Sequence, residues 1–158
     1  MSLKVNLINL RKKSEQLSGE LPVEEIGLES CDEMIAFKQP VEYDLTAEWL
    51  DKSVLVQGGV EAPIDCECVR CLQPFVTSVI LTGYALHLPV SGEEAVEIID
   101  DCVDLTPFLR EDILLGLPQH PLCRSDCEGL KQDESEQSET GSKGSVWSEL
   151  DNLKFDNE

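Results

Sequence analysis

Apolar and polar residues alternate along much of the first half of this chain. Leu3 to Leu7 alternates at a period of two residues, which is typical of a half-buried strand. Between Met34 and Val90 the chain is rich in branched or alternating apolar residues. The pattern therefore predicts a first strand and four further β segments, at Met34 to Phe37, Val41 to Leu45, Val54 to Cys66 and Phe75 to Leu88.

The third of these four segments indicates a sheet with one solvated face. Its apolar residues at positions 60, 62, 64 and 66 share one face of a strand, and its acidic residues at 61, 65 and 67 point the other way. Such a sheet is predicted to be antiparallel. Gly58-Gly59 inside the segment predicts a bulge or a turn.

Two stretches outside the predicted strands are predicted to be links. Ser18-Gly19 and then Pro22 follow the first strand and predict an irregular link. Ser91 to Asp104 holds six acidic residues and no basic one, a density of like charge that resists close packing. We expect this second stretch to be a solvent-facing linker.

One main helix is predicted after the linker. Thr106 belongs to the residue types that cap helices, Pro107 suits a first helical turn, and Pro118 stops the run. The face that packs on the sheet is predicted from four-residue spacing and comprises Leu109, Ile113 and Leu117.

Together these elements predict an α+β fold that is mostly β, an antiparallel sheet or partly closed barrel with one main helix. We expect a single domain over residues 1–130. Residues 131–145 contain no apolar side chain and are predicted to be a disordered linker. Apolar residues return in residues 146–158, where a short segment is expected to dock on its own domain or on a partner.

The charge of the chain limits its partners. Thirty-two acidic residues against 12 basic ones give a net charge of −20, which repels phosphates over most of the surface. A local basic patch remains at Arg11, Lys12 and Lys13, which is either a solvated surface or a local RNA contact. No apolar run is long enough to span a bilayer and no signal peptide is evident, so we expect a cytoplasmic protein without a membrane partner.

The seven cysteines predict a metal site. Cys68 and Cys71 form a C-x-x-C between two predicted strands, and Cys123 and Cys127 form a second pair downstream of the helix. Four thiolates can hold one zinc in a closed tetrahedron, and a closed site is structural because no coordination position is left for water. The alternative is that all these cysteines are reduced, unliganded thiols.

A zinc- or thiol-dependent redox protein that uses Cys68 and Cys71 is the catalytic alternative. Such motifs usually stand at a helix N-terminus that lowers a thiolate pKa, whereas here Pro74 and a β-like run follow. The chain has no phosphate-binding glycine loop or nucleophile elbow. We therefore expect no catalytic residues.

Two stretches of the chain resemble a known family. The first is Glu67-Cys68-Val69-Arg70-Cys71-Leu72 followed by Pro74-Phe75. The second runs from Asp104-Leu105 through the helix to Pro118, Pro121-Leu122-Cys123 and Cys127-Glu128-Gly129-Leu130. Together they are similar to the YceD family of large ribosomal RNA accumulation proteins. Members with the full cysteine set have two further cysteines after the Gly-Leu step, where this chain has Lys131 and a polar tract.

The resemblance implies a non-enzymatic factor for the synthesis, processing or accumulation of large-subunit ribosomal RNA. The partners it implies are ribosomal proteins or a pre-ribosomal particle. The acidic surface favours contact with basic ribosomal proteins, and Arg11, Lys12, Lys13 and Arg70 are the candidates for local contact with large-subunit rRNA.

Overall fold

The computed structural model describes residues 3–29 and 33–130. Its elements in chain order are β1 (Lys4–Asn6), α1 (Leu7–Leu10), β2 (Glu15–Leu21), α2 (Val23–Ile26), β3 (Ile35–Ala36), β4 (Val41–Leu50), β5 (Ser53–Glu67), β6 (Pro74–Pro89), β7 (Cys102–Asp104) and α3 (Thr106–Leu115). The linker and the C-terminal segment predicted for 131–145 and 146–158 lie outside the described residues.

The main sheet is antiparallel and is organised around β5. Strand β6 pairs with β5 over its whole length, from Ser53 opposite Pro89 to Glu67 opposite Pro74. The other edge of β5 is shared between β4 and the short β3, and β2 lies beyond β4. The sheet curls into a half-barrel, so the prediction of a mostly β, antiparallel fold is confirmed.

The inner face of the half-barrel is aliphatic. Val60, Ala62, Ile64 and Cys66 are all buried, as the alternation along β5 predicted, whereas Glu61 and Glu67 are exposed. Leu109 and Ile113 of α3 belong to the same buried cluster. Burial of a Val, Leu or Ile side chain stabilises the fold by about 1.5–3 kcal/mol, so these alternate positions contribute substantially to its stability.

A second, two-stranded sheet joins the N-terminal strand to the segment that precedes α3. Strand β1 pairs with β7, with Val5 opposite Val103. The linker prediction for residues 91–104 is therefore wrong for its last three residues. The sequence did not reveal this strand because its partner lies far away along the chain and the surrounding residues are acidic.

The start of α3 differs from the sequence prediction. Thr106 is the first helical residue, and Leu105 is the N-cap. The Thr106 hydroxyl instead accepts the backbone N–H of Leu3 at 3.1 Å, and the Asp104 carboxylate accepts the Thr106 N–H at 2.9 Å. Thr106 therefore attaches the N-terminal strand to the helix.

The predicted irregular link after β1 is wrong, because it contains α1, β2 and α2. Ser18 and Gly19 lie inside β2, where they pair with Asp44 and Tyr43 of β4. A Cβ on Gly19 would stand 3.1 Å from the Tyr43 hydroxyl, so glycine here makes room for a tyrosine. A turn-forming residue type is thus used for close packing within a strand.

The irregularity predicted at Gly58-Gly59 is confirmed. The β5–β6 register shifts there, because Gly58 faces Tyr84, Gly59 faces Thr82 and Gly83 is the extra residue. Gly58 has a φ of +153°, and a Cβ on it would overlap the backbone carbonyl of Asp44. Only glycine fits at this position.

We expect Gly58→Ala to destabilise the fold by about 2 kcal/mol or more, because the new methyl group meets backbone that cannot move independently. Gly59→Ala is the matched control, since nothing lies within 4 Å of its Cβ position. Urea unfolding of both variants measures the difference. Equal free energies of unfolding for the two variants would contradict the packing described here.

Candidate metal centre

The first cysteine pair lies in the turn between β5 and β6. The backbone N–H of Cys68 donates to the Gln73 carbonyl at 3.0 Å, and the N–H of Leu72 donates to the Cys68 carbonyl at 2.9 Å. Leu72 has a φ of +58°, a left-handed conformation that costs a non-glycine residue about 1 kcal/mol. The turn thereby folds back so that Cys68 and Cys71 face the same point.

The second pair follows α3 and is held against the first by two hydrogen bonds, one from the main chain and one from a side chain. The Val69 N–H donates to the Pro121 carbonyl at 3.0 Å. The Arg70 guanidinium donates to the Cys127 carbonyl, also at 3.0 Å. These two bonds hold the turn after β5 against the segment that carries Cys123 and Cys127.

The four sulfur atoms form one compact cluster. Cys68 Sγ lies 3.8 Å from Cys127 Sγ, and Cys71 Sγ lies 3.8 Å from Cys123 Sγ. All four sulfurs lie within 4.8 Å of one another. A tetrahedron with zinc–sulfur bonds of about 2.3 Å has sulfur–sulfur edges of about 3.8 Å. The spacing therefore fits a metal ion at the centre.

The backbone around Cys68 favours its thiolate form. Hydrogen bonding from the backbone of Cys123, and then of Cys71, lowers the pKa of Cys68 to about 6. Cys123 is an exposed residue, but partial desolvation of its thiol, followed by hydrogen bonding with the thiols of Cys127, Cys68 and Cys71, raises its pKa to about 12. Thiols at such close range oppose each other's ionisation, and a bound cation would remove this opposition.

The cluster spans two distant parts of the sequence, since its close pairs are separated by 59 and 52 residues. Four sulfurs complete a tetrahedral coordination shell. The arrangement is compatible with a structural metal, which would fasten the tip of the β5–β6 hairpin to the segment after α3. His120 lies three residues before Cys123, which makes it a substitute ligand by spacing, but it is exposed and is not in the cluster.

The candidate RNA-binding residues are not brought together. Arg11 stacks over the ring of Trp49, with its guanidinium carbon 4.6 Å from the ring centre, and Lys12 and Lys13 are exposed beside it. Trp49 faces the first residues of β5, whereas Arg70 follows its last. The basic patch and the cysteine cluster therefore lie at opposite ends of this strand.

Sequence reasoning missed two features of the centre. Arg70 was considered only as an RNA contact, yet its side chain joins the two cysteine-bearing segments. Leu72 takes the left-handed conformation that closes the turn. Neither role could be predicted from the residue type, because arginine is usually a surface charge and leucine disfavours positive φ.

A curled antiparallel sheet with a four-cysteine cluster at the tip of its longest hairpin defines a small β protein with a candidate metal centre. The chain belongs to the YceD family, described as large ribosomal RNA subunit accumulation protein YceD, which matches residues 56–154. The resemblance noted from the sequence is thereby confirmed.

Curated relatives come from mycobacteria and are themselves uncharacterized. A Mycobacterium leprae protein is 35% identical over 113 residues, which cover 66% of this chain and 51% of the relative. Proteins of Mycobacterium bovis and Mycobacterium tuberculosis are 36% identical over 115 residues, covering 66% of this chain and 54% of each relative. The chain thus spans about half the length of the curated relatives it matches. No solved structure matches it.

We expect the reduced protein to contain one zinc per chain, and we expect the double variant Cys68→Ser, Cys123→Ser to lose it, because each close sulfur pair then lacks one member. Elemental analysis of both proteins, with circular dichroism as a check on folding, measures this. Cys102→Ser is the matched control, since this half-buried thiol lies outside the cluster. Metal-free wild-type protein would contradict the expectation, as would equal zinc loss from the control.

Proposed function

We propose that this chain is a non-catalytic factor that supports the synthesis, processing or accumulation of large-subunit ribosomal RNA. The single observation that carries the proposal is the family match over residues 56–154. The function belongs to the description of that family, and we transfer it to this chain with ribosomal proteins or a pre-ribosomal particle as the partner. We expect the protein to act in the cytoplasm.

A structural zinc at Cys68, Cys71, Cys123 and Cys127 is part of the proposal. Four sulfur ligands leave no coordination position for a substrate or an activated water. Metal binding to such a site stabilises folded over unfolded chain, because the unfolded chain does not preform the site. The zinc would therefore stabilise the conformation of a binding surface and would take no part in a reaction.

Charge supports protein contact as the main mode of binding. The net charge of −20 repels RNA phosphates and attracts the basic segments of ribosomal proteins. Among the candidate RNA contacts, Lys12 and Lys13 are exposed, whereas the Arg11 and Arg70 side chains already have partners within the protein. RNA contact is accordingly proposed only as a local addition.

The second candidate function is a thiol-dependent redox protein, which the lowered pKa of Cys68 favours. Against it stands the burial of the Cys68 side chain, which no reagent reaches without movement of the turn.

Iodoacetamide labelling at neutral pH separates the two functions. Rapid labelling of Cys68 in the zinc-loaded protein would favour the redox function, and slow labelling that a chelator accelerates would favour the structural metal.

Deletion of the gene from its host is expected to lower the ratio of large-subunit to small-subunit rRNA, and the wild-type chain is expected to restore it. The Cys68→Ser, Cys123→Ser variant should restore it less well at equal protein level, because the proposed binding surface loses the zinc that stabilises it. Quantitative RNA electrophoresis, with sucrose-gradient profiles of the subunits, measures both. An unchanged ratio in the deletion strain would refute the proposed function.

A further inference from the structure

Strand β6 is an unusual edge strand. It is 16 residues long, and it contains no Asp, Glu, Lys or Arg, although charged residues make up 28% of the chain. Long edge strands normally carry charges, especially lysine, because an uncharged edge pairs with other chains. In β6 the features that hinder pairing with another chain are a proline at each end and the bulge at Gly83.

The outer edge of β6 is unpaired within the described part of the chain. Strand β5 is the one strand there that pairs with β6. In an antiparallel pair, alternate residues direct their N–H and C=O groups away from the partner strand. A row of backbone donors and acceptors is thus available along this edge for an added strand.

Apolar side chains flank the open edge. Val76 is 61% exposed and Ile80 is 59% exposed on β6. Leu115, at the end of α3, is 83% exposed and lines a groove with Ile80 and Ala85. The edge is therefore both unpaired and apolar, which is the surface that strand addition buries.

The row of residues that ends at Ile80 is acidic. Glu20 of β2 faces Glu42 of β4, Glu42 faces Glu61 of β5, and Glu61 faces Ile80. Facing side chains stand about 5 Å apart, and like charges in such positions destabilise a sheet. None of the three glutamates forms an ion pair with another described residue. Their mutual repulsion is relieved when a basic side chain lies next to the row.

We propose that the β6 edge receives an extended, Lys- and Arg-rich segment of a large-subunit ribosomal protein, which adds as a further strand. The inference rests on the proposed function and specifies its partner. A lysine or arginine opposite Ile80 would lay its aliphatic stem over that residue and reach Glu61 with its charge. Backbone pairing would supply affinity, and the acidic row would select basic segments.

Charge argues against the other occupants of this edge. A second copy of the chain would bring another net charge of −20 to the same row. The chain's own residues 146–158 carry two glutamates and two aspartates against one lysine, and they would add carboxylates beside Glu61. RNA brings phosphates and cannot extend a sheet.

The experiment uses the full chain with the photoreactive residue p-benzoylphenylalanine in place of Thr82, which lies on β6 beside Ile80. The probe is the protein mixture extracted from purified large ribosomal subunits of the same organism. Crosslinked peptides are sequenced by mass spectrometry. We expect crosslinks to Lys- and Arg-rich segments, reduced about tenfold by Ile80→Lys, because a like charge at the edge repels the basic strand.

Ile99→Lys is the matched control, since Ile99 has the same 59% exposure and lies outside β6. It should crosslink like the unsubstituted chain. Crosslinks to a second copy, crosslinks to residues 146–158 of the same chain, equal loss with Ile99→Lys, or no crosslink would each overturn the proposal.

The deletion strain separates this proposal from the function it rests on. If the wild-type chain restores large-subunit rRNA and Ile80→Lys restores it equally at equal protein level, the proposed function stands and the β6 edge is not its docking site. If deletion leaves the rRNA ratio unchanged while the crosslinks form as expected, the edge binds basic segments and the proposed function fails.

Discussion

The pairing of β5 with β6 is the interaction on which the rest of the structure depends. It aligns the buried face of β5 with that of β6 over the full length of both strands, and it leaves the opposite edge of β5 for β4 and β3. Its closed end is the turn that carries Cys68 and Cys71. The core, the outer acidic row and the sulfur cluster are therefore all placed by one hairpin register.

Much of this hairpin could be predicted from the sequence because its determinants are local. Alternation gave the buried face of β5, Gly58-Gly59 gave the irregularity, and the cysteine spacing gave the four members of the cluster. Periodicity fixes which side of a strand is buried once a core exists. The same local rules hold for α3, whose inner face was predicted correctly at Leu109 and Ile113.

The parts that could not be predicted depend on residues far apart in the chain. Strand β7 is recognisable only beside β1, and Thr106 looks like a cap until Leu3 is placed next to it. The tie between Arg70 and Cys127 is of the same kind. Local propensity contains no information about such pairs, and tertiary contacts override it where the two disagree.

The bond between Leu3 and Thr106 has a consequence for synthesis of the chain. Strand β1 is synthesised before its partners in β7 and α3, which follow about a hundred residues later in the chain. Until then Leu3 and Val5, which are buried in the finished protein, lack the strand and the helix that cover them. Closure of the N-terminal strand is accordingly a late event, and chains released before Thr106 leave this apolar segment open to aggregation or to proteolysis.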